Sequence, residues 1–268
     1  MVEPLTAGSG GGAGRTLVIT GSGQGIGRAV SIAAARRGYA VVGIDIDAQK
    51  GEETARLSGG SFHRCDLADA AQIAPVFEAI EAESGGVDVL VNNAARGIHR
   101  PPEEVTIAEW DGVMAVSLRA AAFAAQAAGR AMIARGAGGS IVNLASIGGL
   151  AALGRGNYVY SVAKAGLIGM TRELAVEWAS YGIRVNALAP SQVDTEGFRP
   201  LIAREDVASG NTLSDALSGV PLGRLAHPDE VADAVLFLAS EQASFISGVT
   251  LPIDGGSMAF HAGGSLRR

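Results

Sequence analysis

The sequence predicts an α/β fold: a doubly wound parallel sheet of about seven strands, with helices on both faces, in a single domain. Three observations predict it. Short apolar runs alternate with helix-like segments along nearly all of the 268 residues, the pattern of parallel βαβ winding. The runs are apolar throughout instead of alternating with polar residues, as strands covered on both faces must be. A glycine-rich turn stands between the first run and the first helix, a junction at which backbone N–H groups face outward.

Residues 17–20 read as the first strand, and the helix after it stops at Arg36, Arg37 and Gly38, cations followed by a residue free to turn left-handed. The next strands are residues 39–45, 62–65, 87–91, 140–144, 183–188 and 249–253. Pro75 falls inside the helical stretch 69–83, where it must kink the helix or mark its true start; a kink is the reading adopted. Thr106 and Glu109 form a capping box that opens a long helix towards Arg135. Pro252 removes a ladder donor and so places the last strand at a sheet edge. Residues 1–14 are glycine-rich, lack the cationic and apolar regions of a secretion signal, and are expected to form a disordered tail. The domain then spans 15–258, with an irregular, polar lid at about 196–220 and a C-terminal tail from 259.

Composition narrows the function. A chain 48% hydrophobic can bury one substantial core, and 38 glycines without a period mean tight turns and close backbone approaches. With a net charge of −6 there is no basic footprint for nucleic acid, so small molecules are the expected partners. Cys65 is the only cysteine, which excludes an internal disulfide and fits a cytoplasmic protein. The four histidines are scattered and none pairs at ligand spacing, so no metal is expected. Arg119 and Arg130 bound the Ala-rich stretch between them, leaving no uninterrupted apolar run of the ~18 residues that a membrane span needs.

The chemistry begins at the turn. Thr20, Gly21, Ser22, Gly23, Gln24, Gly25, Ile26 and Gly27 lead from strand to helix with spacing G-x-x-x-G-x-G, which departs from the G-x-G-x-x-G fingerprint. Its strand-to-helix context points to phosphate binding, a plain tight turn being the alternative. Asp45 lies eighteen positions past Gly27, close to the ~20 of an acid that hydrogen-bonds ribose hydroxyls. No Arg or Lys stands at Ile44, Ile46 or Asp47 to receive a 2′-phosphate, so NAD is expected over NADP, unless Asp45 is an ordinary turn residue. Asp66 is placed to reach the adenine, with Ile46 and Leu67 beside that end. Asn93, Ala94 and Ala95 follow the fourth strand, where small residues leave room for a flat ligand.

Tyr160 and Lys164 are four positions apart on one face of a helix. Bringing a phenol from about 10 to near 7 requires ~4 kcal/mol, which one ammonium at ~4 Å supplies only at an effective dielectric constant near 20. Only a sheltered cleft makes the pair useful, and Y-x-x-x-K also arises by chance.

Taken together, these residues resemble the short-chain dehydrogenase/reductase family, over nearly the whole chain from Thr16 to about Gly256. The resemblance rests on Thr20 to Gly27, Asn92 to Ala94, Ser146, Tyr160 with Lys164, Asn186 to Pro190, and Asp254 to Gly256, in family order and spacing. It implies a Rossmann-like fold and the NAD-dependent interconversion of a secondary alcohol and a ketone. Tyr160 would be the general acid/base, Lys164 would lower its pKa and bind the nicotinamide ribose, and Ser146 would orient the substrate oxygen. Pro190, Ser191, Val193 and Thr195 would hold the nicotinamide end. An NADPH-dependent 3-oxoacyl-thioester reductase is the alternative enzyme. A dinucleotide-binding redox sensor without turnover is the non-enzyme alternative, disfavoured because Tyr160, Lys164 and Ser146 are all present.

Ser117 stands where the family usually has Asn. A mid-helix Ser is expected to bond back to the Val113 carbonyl, leaving its own carbonyl to hold a proton-relay water. Ser191 and Ala95 each replace a usual Gly. Ile147, Leu150 and Leu153 beside Ser146, with Leu201, Ile202, Val207, Leu213 and Leu217 in the lid, suggest a hydrophobic substrate. Arg96, His99 and Arg100 are either a solvated loop or a contact for an anionic group. Ala120, Ala121, Ala122, Ala124, Ala125, Ala127 and Ala128 allow close helix contact, and the family resemblance implies a homotetramer or homodimer, though Ala is also simply a good helix former.

Overall fold

The computed structural model describes residues 12–154, 156–199 and 213–260. Seven parallel strands form one sheet in the order β3-β2-β1-β4-β5-β6-β7. They are β1 (Thr16–Thr20), β2 (Ala40–Asp45), β3 (Ser61–Arg64), β4 (Val89–Asn92), β5 (Gly139–Leu144), β6 (Ile183–Pro190) and β7 (Thr250–Ile253). The order reverses between β1 and β4, which opens a crevice beyond the carboxyl ends of those strands. Every strand lies within two residues of its expected bounds. β6 continues to Pro190, opposite Ile253 of β7. β7 is an edge strand, so Pro252 loses no partner on its open side.

Successive residues of β1 point to opposite faces, and the two cores follow that alternation. Leu17 and Ile19 pack with Val30 and Ala34 of α1 (Gly25–Arg36) and with Val231, Val235 and Leu236 of the helix Pro228–Ala239. Val18 packs on the other face with Phe77 and Ile80 of the helix Ile73–Ser84 and with Ala124, Ala128 and Met132 of the helix Ala120–Arg135. In chain order the helices are α1, α2 (Ala48–Ser58), α3 (Ile73–Ser84), α4 (Ile107–Met114), α5 (Ala120–Arg135), α6 (Tyr158–Glu177), α7 (Leu213–Leu217) and α8 (Pro228–Ala239).

Pro75 does not kink its helix. A 3₁₀ turn at Ala70–Gln72 precedes α3, which places Pro75 third in the helix, among the first-turn N–H groups that have no intrahelical acceptor. It marks the start. Thr106 and Glu109 make the expected capping box, and the Thr106 backbone N–H together with Arg100 holds the Glu109 carboxyl down to about 2. The helix it opens is interrupted by a π-helical turn at Ala115–Arg119 before α5 continues. By length and composition alone, Ile107–Arg135 would suffice to cross a membrane, but half of its most apolar window is buried inside the protein. Ala120, Ala121, Ala124, Ala125 and Ala128 belong to that buried part, so their small size lets α5 approach its own chain. Most of the expected lid (200–212), both outer tails (1–11 and 261–268), and with them Leu201, Ile202 and Val207, lie outside the described residues.

Candidate active site

β1 ends at Thr20 and the chain turns at once into α1. Gly21 has φ 68° and Gly25 φ 55°, left-handed values that favour glycine. At Gly27 the requirement is space: a Cβ there would stand 1.9 Å from the Gly21 carbonyl oxygen and 2.8 Å from Asn93 Nδ2. Asn93 fastens the turn from the neighbouring strand. Its Nδ2 donates to the Thr20 and Gly21 carbonyls at 3.0 Å each, while the Asn93 and Ala94 N–H groups donate to Thr20 Oγ1 at 3.0 and 3.1 Å. Gln24, the N-cap of α1, makes no side-chain cap, and no acid stands in the first turn. The helix therefore presents its positive end uncompensated by its own residues. Gly25 N–H donates to a distant carboxylate, Glu196 Oε2, at 3.1 Å. Thr195 Cγ2 lies 3.2 Å from where a Gly25 Cβ would stand, so the irregular segment after Pro190, Ser191 and Val193 packs against the turn.

Asp45 faces the same turn. Its Oδ2 accepts from Gly23 N–H at 2.8 Å and its Oδ1 from Asp47 N–H at 3.0 Å. Ile46 beside it is 55% exposed, a flat apolar surface at the rim. Asp66 lies just past β3, with Oδ1 accepting from Ala68 N–H. Two of the expected contacts turn inward. The Ser22 hydroxyl is buried against Gly43 without a hydrogen-bond partner, and the Leu67 side chain sits in the core, so only their backbones can face the cleft. A glycine cradle at a helix start without a cap of its own, an acid at the second strand's end and an exposed apolar rim fit a dinucleotide.

At the end of β5, Ser146 caps the 3₁₀ turn Ile147–Gly149 by accepting from Gly148 N–H at 3.1 Å, and its hydroxyl lies near enough to the Tyr160 phenol to favour the ionised form. One turn along α6 from Tyr160, Lys164 is only 2% exposed; its Nζ donates to the Leu144 carbonyl and stands 5.5 Å from the centre of the Tyr160 ring. Burial pushes the Lys164 ammonium down to about 8. The phenol moves opposite to the expectation. Burial raises Tyr160 above its ordinary value, and only the Ser146 hydroxyl opposes it, because the ammonium lies over the ring and is bound to Leu144.

Ser117 differs too. Its hydroxyl ignores Val113, donating to the Arg96 carbonyl at 2.8 Å and accepting from the Arg96 N–H at 2.9 Å. The π-helical turn reorients this side chain towards the loop after β4. That loop forms a wall of the site: a Cβ on Gly97 would stand 3.6 Å from Tyr160 Cδ2. Arg100 is held there by Glu109 at 2.7 Å and by its own N–H on the Gly156 carbonyl. Leu150 is exposed beside Ser146, whereas Ile147 is buried.

Residues 21–258 match the family model described as enoyl-(acyl carrier protein) reductase. D-threitol dehydrogenase of Mycolicibacterium smegmatis is 38% identical over 249 residues, covering 91% of this chain and 92% of that one. The chain belongs to the short-chain dehydrogenase/reductase family. A second such relative, cis-4-hydroxycyclohexanecarboxylate dehydrogenase of Sinomonas cyclohexanicum, is 41% identical over 254 residues, covering 92% and 98%. Among solved members, a Beutenbergia cavernae protein assigned as an NAD(P)-dependent gluconate 5-dehydrogenase, with NADP bound at low occupancy, superposes with a TM-score of 0.84 at 39% identity. It covers 94% of this chain and 100% of that one.

As a short-chain dehydrogenase/reductase the protein is an NAD(P)-dependent oxidoreductase acting on CH–OH groups and interconverting alcohol and ketone. The structure brings Ser146 at the end of β5 together with Tyr160 and Lys164 of α6, and gathers Asn93 and Asp45 around the glycine turn, with Thr195 packed over Gly25. Among the described residues, no cluster of three or more His, Cys, Asp or Glu could hold a metal. Sequence reasoning missed Glu196 and Lys50 at the turn. Their partners are 171 and 26 residues away in the chain, a separation that no local motif encodes.

Proposed function

We propose that this enzyme oxidises a small, largely hydrophobic secondary alcohol to its ketone with NAD as the preferred partner, in the cytoplasm, and can run the reverse reduction. The observation that carries the reading is the Ser146–Tyr160 hydroxyl pair with a buried ammonium beneath the ring. Tyr160 takes the proton of the substrate hydroxyl and Ser146 orients its oxygen. Lys164 anchors that corner through the Leu144 carbonyl and is placed to bind the nicotinamide ribose. When bound, the dinucleotide supplies the hydride acceptor. Ser191, Val193 and Thr195 would hold its nicotinamide end, and Asp45 the adenosine ribose. Leu150 and Leu153 beside Ser146 support an apolar substrate body, and the relatives named for threitol and for a hydroxycyclohexane acid support a secondary alcohol. Phe237, Phe245 and Val249, exposed along α8 and beside the edge strand, support assembly as a homotetramer or homodimer.

The test is kcat/KM over a panel of secondary alcohols with each cofactor. NAD should be favoured, and Asp45→Ala should narrow the gap, since a 2′-phosphate beside that carboxylate meets ~1 kcal/mol of repulsion per charge even at water's dielectric constant. A preference for NADP would overturn the cofactor assignment. Absence of turnover with every alcohol and ketone would overturn the reaction.

A further inference from the structure

The adenosine end of the cleft carries a cation that the helix bearing it does not need. Lys50 is the third residue of α2, behind the N-cap Asp47, whose side chain accepts from Lys50 N–H at 3.1 Å. A cation in a first turn faces the positive end of the helix dipole, an unfavourable place for it. From there the side chain turns to the phosphate-binding loop. Its Nζ donates to Gln24 Oε1 at 2.8 Å and lies 3.7 Å from Asp47 Oδ2. Its stem packs on the turn, for a Cβ on Gly23 would stand 3.0 Å from Lys50 Cβ and 3.0 Å from Asp45 Oδ2. Lys50, Asp45 and Gln24 thus surround Gly23. Of the neighbouring cations, Arg28 is held by the Gly23 carbonyl, Thr54 and the Glu53 carboxylate, and Arg64 donates through Nε to the Ile46 carbonyl at 3.3 Å, whereas the Lys50 ammonium is held by a neutral amide and a longer ion pair. The Lys50 side chain is 47% exposed, so its ammonium is accessible from the cleft rim.

We propose that Lys50 is a specificity-determining residue that receives the 2′-phosphate of NADP, so that NADP binds measurably in spite of Asp45. The inference rests on the reading of this cleft as a dinucleotide site. An ammonium on a flexible four-carbon stem can leave the neutral amide of Gln24 for a dianionic phosphate without disturbing the turn. Asp45 and Lys50 flank the same glycine with opposite charge. The discrimination against NADP is therefore the difference between a repulsion and an attraction of similar size, not the full effect of the acid.

Calorimetric titration of the full chain with 5′-ADP and with 2′,5′-ADP tests this without turnover, since neither fragment carries a nicotinamide. Lys50→Ala should raise the Kd of 2′,5′-ADP about tenfold relative to that of 5′-ADP, the scale of one close charge pair against a phosphate. Lys50→Arg should keep the wild-type ratio, and Asp45→Ala should favour 2′,5′-ADP. If 5′-ADP binds and the ratio is the same in Lys50→Ala, the role of Lys50 falls while the dinucleotide reading stands. Failure of the wild type to bind 2′,5′-ADP where 5′-ADP saturates would also overturn the role. If neither fragment binds the wild type, the dinucleotide reading falls, and this inference with it.

Discussion

Lys164→Met should make the cofactor-free protein more stable at neutral pH while abolishing its catalysis. Burial lowers the Lys164 pKa from 10.5 to about 8. At ~1.4 kcal/mol per pKa unit, keeping the charge in the folded state at pH 7 costs about 3 kcal/mol. The sign follows from proton counts. Between about pH 8 and 10.5 the unfolded chain holds the proton and the folded one does not, so stability rises with pH across that window, and the penalty is fully present below it. Methionine fills similar space without charge but loses the bond to the Leu144 carbonyl, a loss of about 1 kcal/mol. The variant should therefore be about 2 kcal/mol more stable at pH 7 and about 1 kcal/mol less stable above pH 10.5. Urea unfolding at fixed protein concentration, as the variant-minus-wild-type difference at several pH values, cancels other titrating groups. A difference that stays flat with pH would show that the ammonium bears no burial penalty, and the reasoning would be wrong.

Tyr160→Phe should lower kcat by at least ~100-fold and leave cofactor affinity within about twofold, because only the proton donor is lost; a tenth of wild-type kcat remaining would point to another acid. Ser117→Ala strips both partners from the Arg96 backbone and should lower stability by about 1–3 kcal/mol with less than ~10-fold loss of kcat. Its kcat measured across pH beside that of Tyr160→Phe decides the matter, since equal inactivation would mean that the Ser117 hydroxyl itself carries the proton. In the cofactor-free protein the phenolate absorbance assigned by subtracting the Tyr160→Phe spectrum should appear only above the ordinary tyrosine range, as burial demands. Its appearance near pH 7 would refute that picture.

The strands were legible because each is a short apolar run covered on both faces, a signal carried within the run itself. The sheet edge could be read from one residue, Pro252. Pro75 was misjudged although the signal was present: Asp69 Oδ1 caps the turn before α3 by accepting from Ala71 N–H, which makes the proline part of a helix start. Ser117 was misjudged for a different reason. Its partner is 21 residues away, and a π-helical turn breaks the 3.6-residue spacing on which a back-bond to Val113 depends. Tyr160 and Lys164 were visible as a pair, but spacing says nothing of depth, and depth decides both pKa values. The inward turns of Ser22 and Leu67 were equally hidden, since a loop motif fixes where the backbone goes and not which side chains it spends on packing.

The raised phenol and the lowered ammonium have one cause, and together they divide the work of proton transfer. A corner dry enough to push Lys164 down to about 8 also disfavours a phenolate. The protein by itself therefore keeps Tyr160 protonated, with its hydroxyl near Ser146 and its ring position fixed by α6. Lowering that pKa requires positive charge near the phenolic oxygen, and the ammonium, 5.5 Å from the ring centre and bonded to Leu144, is not aimed there. An oxidised nicotinamide carries such a charge. The low dielectric that penalises the isolated phenolate would strengthen its attraction to that ring by the same factor. A bound oxidised cofactor would thus favour the phenolate that the protein alone disfavours.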